Sequence, residues 1–180
     1  MKRGKRVILS LLALAVVVGA CWLHWRHGVA YTREELLSLA RREEGLAPTR
    51  TLTVLGDYES GEERLLCLAA TEEGYAPQYC AVSFHARGKA WGEPHSHLLM
   101  ERGMDLYTLS WGGSYLFISG NPVLKTIRLQ LPGREEAQVP VTGTPFCYRL
   151  ELGDWDSFQY EFLDGEGNLI SRGGLSPDGL

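Results

Sequence analysis

The chain has 180 residues, with 18 basic and 22 acidic side chains, four cysteines and a formal net charge of −4. Five basic groups and no acid fall in residues 1–27, so residues 28–180 carry 13 basic against 22 acidic side chains, a net of −9. A body that acidic argues against nucleic acid and against an anionic membrane surface as partners.

The first 27 residues set the expected topology. Lys2, Arg3, Lys5 and Arg6 precede an apolar run from Val7 to Trp25, and only Arg26 stands closely after it. The positive-inside bias keeps such an N-terminus in the cytoplasm and sends the rest of the chain across the membrane. Three forms of attachment fit this segment. Nineteen apolar residues are long enough for a transmembrane helix, with Trp22 and Trp25 at the interface. Val18-Gly19-Ala20-Cys21 resembles the lipobox of bacterial lipoproteins, which makes Cys21 a lipidation candidate, although Trp22 and Val18 depart from that pattern. Val18-x-Ala20 also meets the small-residue rule for ordinary signal-peptide cleavage. Residues 1–27 are therefore expected to be a membrane anchor or signal segment, placing the remainder outside the cytoplasmic membrane.

One helix is expected next, within a juxtamembrane segment over 28–49. Thr32-Arg-Glu-Glu35 has the capping-box spacing, Tyr31 and Leu36 that of a hydrophobic staple, and Leu36, Leu39 and Ala40 share a face. Gly45 and Pro48 end the helix, which should cover residues 33–44.

From Arg50 the pattern turns to strands. Thr51–Tyr58, Glu63–Thr71, Gln78–Arg87, Met104–Trp111, Ser114–Ser119, Leu124–Leu131, Gln138–Val141, Phe146–Leu152, Ser157–Leu163 and Asn168–Arg172 are the expected strands. Gly112-Gly113, Gly120-Asn121-Pro122, Pro132-Gly133 and Asp164-Gly165-Glu166-Gly167 can each reverse the chain. Such spacing, with no helical pattern between strands, predicts a mainly β extracytoplasmic domain over 50–172, an antiparallel β-sandwich or a partly open barrel. Residues 173–180 read as a disordered tail. A pause at Gly120-Asn121-Pro122 leaves one domain or two open.

The order Ser114-Tyr-Leu-Phe-Ile-Ser-Gly120-Asn121-Pro122, Ile127-Arg128-Leu129, Phe146, then Tyr160-Glu-Phe-Leu-Asp164-Gly-Glu-Gly167-Asn168-Leu-Ile170 forms a pattern. It resembles small uncharacterised exported or lipoprotein-like proteins of Gram-positive, clostridia-like bacteria, which carry a G-x-N, I-x-x-I/V, F, Y-D-x-x-G-N-x-I order. Phe162-Leu163 interrupt the usual Tyr-Asp pair. The resemblance covers roughly residues 105–170 and implies architecture and compartment, with no activity attached.

Beyond Cys21 three cysteines remain, Cys67, Cys80 and Cys147, an odd number that suggests one bridge and one leftover thiol in an oxidising compartment. A hairpin centred near Glu73 would set Cys67 opposite Cys80 and make them the disulfide candidate; the alternative is two buried free thiols.

Chemistry-bearing clusters are few. His95 and His97 project from one face of a strand, and His-x-His-x3-Glu resembles the first metal motif of cupins, with His95, His97 and Glu101 as ligands. The second cupin motif needs a later histidine, and the sequence has none after His97. The expectation is therefore no metal, no cofactor and no catalytic residue. Cys80 with His95 or His97 has the order of a thiol dyad, but its alternation with Val82 and Phe84 points it into the core. Asp164, Glu166 and Asn168 have calcium-loop spacing, yet Leu169 and Leu175 stand where glycine and glutamate are required, so a hairpin turn accounts for them. Asp154 and Asp156 read as a solvated turn. Trp91, Trp111 and Trp155 read as packing aromatics rather than a sugar platform. Two functions remain: an anchored, non-enzymatic module binding a protein or cell-wall partner, and a metal-dependent cupin-like enzyme using the His-x-His site.

Overall fold

The computed structural model describes residues 14–19, 21, 28–153 and 157–176. Residues 14–19 and 21 are helical, and no helix among the described residues is long and apolar enough to cross a membrane. Most of Val7–Trp25, including Trp22 and Trp25, lies outside the described residues, as do Asp154, Trp155 and Asp156.

Among the described residues, thirteen antiparallel strands and one capped helix are arranged in layers. The first sheet holds β1 (Val29–Ala30), β2 (Thr51–Ser60), β3 (Glu63–Thr71), β4 (Gln78–Arg87) and β5 (Ala90–His97), in the order β1-β5-β4-β3-β2. The second holds β6 (Met100–Glu101), β7 (Leu106–Trp111), β8 (Ser114–Ser119) and β11 (Phe146–Glu151), in the order β11-β8-β7-β6. The third holds β9 (Thr126–Gln130), β10 (Ala137–Pro140), β12 (Phe158–Leu163) and β13 (Leu169–Leu175), in the order β10-β9-β12-β13. Among the described residues each sheet is a linear ladder with two edge strands, and the sheets stack on one another.

Helix α1 (Arg33–Glu43) closes the outer face of the first sheet. Its N-terminus is fixed as the sequence demands: Glu35 N–H donates to Thr32 Oγ1 at 3.2 Å while Thr32 N–H donates to Glu35 Oε2 at 3.2 Å. Leu36, Leu39 and Ala40 then pack on Leu66, Leu68, Cys80, Val82 and Phe84. The 28–49 segment is thus part of the fold: β1 adds an edge strand to β5, and α1 covers the sheet.

The opposite face of the first sheet presents Leu65, Cys67 and Ala81 to Leu109, Trp111, Leu116 and Ile118 of the second. The second sheet in turn presents Leu106, Tyr115, Phe117 and Leu150 to Ile127, Leu129, Phe158, Tyr160 and Phe162 of the third. Because the second sheet is covered on both sides, all six residues of β8 are buried.

Three expectations are corrected. Gly173, Gly174 and Leu175 belong to β13, paired with Tyr160, Gln159 and Phe158, so the chain is ordered strand where a tail is expected. The strand expected from Met104 begins at Leu106, because Met104 and Asp105 have φ of 52° and 58° and make the turn. Cys67 and Cys80 lie on paired strands but on opposite faces: Cys67 aligns with Ala81 and Cys80 with Leu68. Cys67 therefore points toward the second sheet and Cys80 toward α1, and both are free thiols.

Candidate functional site

A cavity of about 680 Å³ opens between the second and third sheets at the β6–β7 and β12–β13 end. That volume suits a small organic molecule. Strand alternation builds its walls. Phe158 and Tyr160 face inward from β12 and Tyr115 from β8, while Leu109, Met100 and Leu98 close the other side. Leu98 is 94% exposed and Met100 is 54% exposed, an apolar rim without cover. Tyr115 stands edge-on to Phe158, with ring centroids 5.0 Å apart.

A line of polar groups runs along the cavity wall. Arg102 Nε donates to Thr108 Oγ1 at 3.3 Å, Thr108 is placed to donate to the Tyr160 hydroxyl, and the Tyr160 and Tyr115 hydroxyls are 3.4 Å apart. Arg102 can only donate, so the Thr108 proton turns to Tyr160 and the Tyr160 proton to Tyr115. The chain of bonds therefore starts at a cation and ends in the Tyr115 hydroxyl as a donor on the cavity wall. Burial, and then its bond to Tyr115, raises the Tyr160 phenol well above its ordinary range, so the hydroxyl keeps its proton.

Arg102 and Arg172 both line the cavity, and among the described residues neither is in an ion pair. Glu161 is neutralised by Arg128, whose Nη1 donates to it at 2.8 Å. Arg102 thus brings a positive charge with no ion-pair partner among the described residues to a cavity with apolar and aromatic walls. Gly173 is required here, since a β-carbon would meet Tyr160 Cζ at 2.6 Å and its hydroxyl closer still. Sequence reading missed the site because its residues come from β7, β8, β12 and β13, and the Gly173-Gly174 pair reads as a tail.

The histidines lie elsewhere. His95 and His97 share a face of β5, their rings edge to face with centroids 5.1 Å apart, and His97 Nε2 is 2.9 Å from Ser83 Oγ. Burial, and then the neighbouring His95, holds the His97 imidazole below its ordinary pKa. Glu101 sits on β6 near Tyr107, and no group of three or more metal-ligating side chains gathers among the described residues. Cys80 faces α1, across the sheet from both histidines, and burial pushes its thiol up to about 12. Asp164 spends its carboxylate inside the β12–β13 turn, accepting from Glu166 N–H at 2.9 Å and Asn168 N–H at 2.8 Å. Trp91 packs beside the α1 core under Arg64, and Trp111 donates to Glu63 Oε2 at 3.1 Å. Cys21 is an exposed helical residue.

No family model, no curated protein sequence and no solved structure matches this chain.

Proposed function

We propose that this protein is a non-enzymatic, extracytoplasmic binding module, held at the outer face of the cytoplasmic membrane by residues 7–25. Its ligand is a small amphipathic anion, an aromatic or aliphatic carboxylate or sulfonate, seated in the cavity between the second and third sheets. The observation that carries this reading is the Arg102–Thr108–Tyr160–Tyr115 line of bonds in an aromatic-walled cavity of about 680 Å³. Arg102 supplies the countercharge, the Tyr115 hydroxyl a neutral donor, and Phe158 and Met100 the apolar contact. The positive-inside bias of residues 1–27 supports the placement outside, as does the resemblance to exported lipoprotein-like proteins.

The binding test uses 1-anilinonaphthalene-8-sulfonate as the probe. Its fluorescence should rise saturably at one site per chain. Arg102→Met should weaken the probe about tenfold, the effect of losing one charge-assisted contact. A non-saturating signal, or equal affinity in a folded Arg102→Met variant, would sink the reading. Anchoring is tested separately by fractionation: Cys21→Ala releases a lipoprotein from the membrane and leaves a transmembrane protein in place.

A further inference from the structure

We infer that Cys67 and Cys147 form a redox-active pair that closes to a disulfide joining the first sheet to the second. Cys67 is fully buried on β3, and Cys147 is half-buried on β11, the edge strand of the second sheet. The two thiols meet across the sheet–sheet interface, where Cys147 packs against the buried cluster that holds Cys67. Tyr58 on β2, the edge strand of the first sheet, directs its hydroxyl at Cys147 Sγ from 3.5 Å. Arg149 lies over the Tyr58 ring, 5.4 Å from its centroid, and fixes the ring where the strand edges meet.

This arrangement gives the sulfurs different tasks. Cys147 accepts from both the Cys67 thiol and the Tyr58 hydroxyl, and these donors favour its thiolate. Cys67, turned toward Cys147 as a donor and fully buried, is held protonated well above the ordinary thiol range. Cys147 is also the one of the two that solvent reaches, so it attacks first. In the first step the Cys147 thiolate displaces one thiolate from an external disulfide and becomes a mixed disulfide. Cys67 then gives its proton to solvent, attacks Cys147 Sγ and expels the second thiolate. Two protein thiols and one external disulfide become one protein disulfide and two small thiols. Cys80, facing α1 across the sheet, is the leftover thiol.

The experiment uses the full chain, reduced, freed of reductant in detergent and equilibrated with oxidised glutathione. Remaining thiols are blocked with N-ethylmaleimide. Trypsin leaves Cys67 and Cys80 on one peptide, whereas a glutamyl endopeptidase cuts between them at Glu72 and Glu73. Mass mapping should then find the Cys67 peptide joined to the Cys147 peptide and Cys80 alkylated. In Cys67→Ala the reaction should stop at a glutathione adduct on Cys147, and Tyr58→Phe should slow formation of that adduct. If all of these sulfurs remain alkylatable in the oxidised wild-type chain, or if the bridge joins Cys80, the inference is wrong. The wild-type map decides the matter whether or not either variant folds.

Discussion

The two faces of β8 look onto interfaces of opposite character. Leu116 and Ile118 face a closed layer centred on Leu65, Cys67 and Ala81, with Tyr58 and Tyr79 packed against it. Tyr115 and Phe117 face an aromatic layer that ends in an open cavity. Small side chains let two sheets close on each other, and where they close a thiol of each comes into contact. Bulky rings hold the other pair of sheets apart at one end and leave room for a guest. One strand with a period of two thus divides structural closure from binding.

Neighbouring substitutions on β8 should break that division with the largest effects. Phe117→Ala removes a ring packed against Tyr148, Tyr160 and Phe162 and should cost about 3–5 kcal/mol; Leu116→Ala should cost about 2–5 kcal/mol. Urea unfolding measures both. Only Phe117→Ala should alter binding of the anilinonaphthalene probe, and only Leu116→Ala the reactivity of Cys147. Identical changes in both readouts would mean that the interfaces are not separable.

Gly173→Ala sharpens the same comparison at the cavity wall. The new methyl group would displace the Tyr160 ring, at a cost of roughly 1–3 kcal/mol. Because Tyr160 links Thr108 to Tyr115, probe affinity should fall as well. An affinity equal to wild type would remove Tyr160 from the site.

Much of this fold was legible in the sequence, for reasons that are local. The capping box at Thr32 carries its own partners, and Glu63–Thr71, Gln78–Arg87 and Ser114–Ser119 are bounded by turn residues that stop them at those points. Thr32→Ala should accordingly cost about 1 kcal/mol, read by thermal unfolding. What stayed hidden depends on register. A hairpin centred at Glu73 and one shifted by a single position look alike in composition, yet the shift moves Cys67 from the Cys80 face to the Cys147 face. Strand β5 was hidden by Gly92 and Pro94, which the structure absorbs in an irregularity where Glu93 takes a φ of 51°. The cavity was illegible because its polar line joins Arg102, in a turn, to side chains of β7, β8 and β12, and Tyr160 stands 45 residues from Tyr115.

The smallest expected effect lies at the rim of the closed interface, on His97. The face around it carries His95, Ser83 and Glu63; burial and His95 disfavour its charged form, and Glu63 opposes them more weakly. Its folded pKa therefore lies below the value of 6.5 that it takes in the unfolded chain. Below that value the unfolded chain binds more protons than the folded one, so stability is full above pH 6.5 and declines as pH falls toward the folded pKa. The carboxyls held low, Asp164 by Asn168 and Glu93 by Arg87, titrate below this window. His97→Gln can keep a contact to Ser83 Oγ without titrating, so its melting temperature should vary less between pH 7 and 5 than that of wild type. Equal slopes for the two proteins over that window would show that the imidazole is not excluded from its charged form, and that the rim of this interface is as open to water as the cavity on the other side of β8.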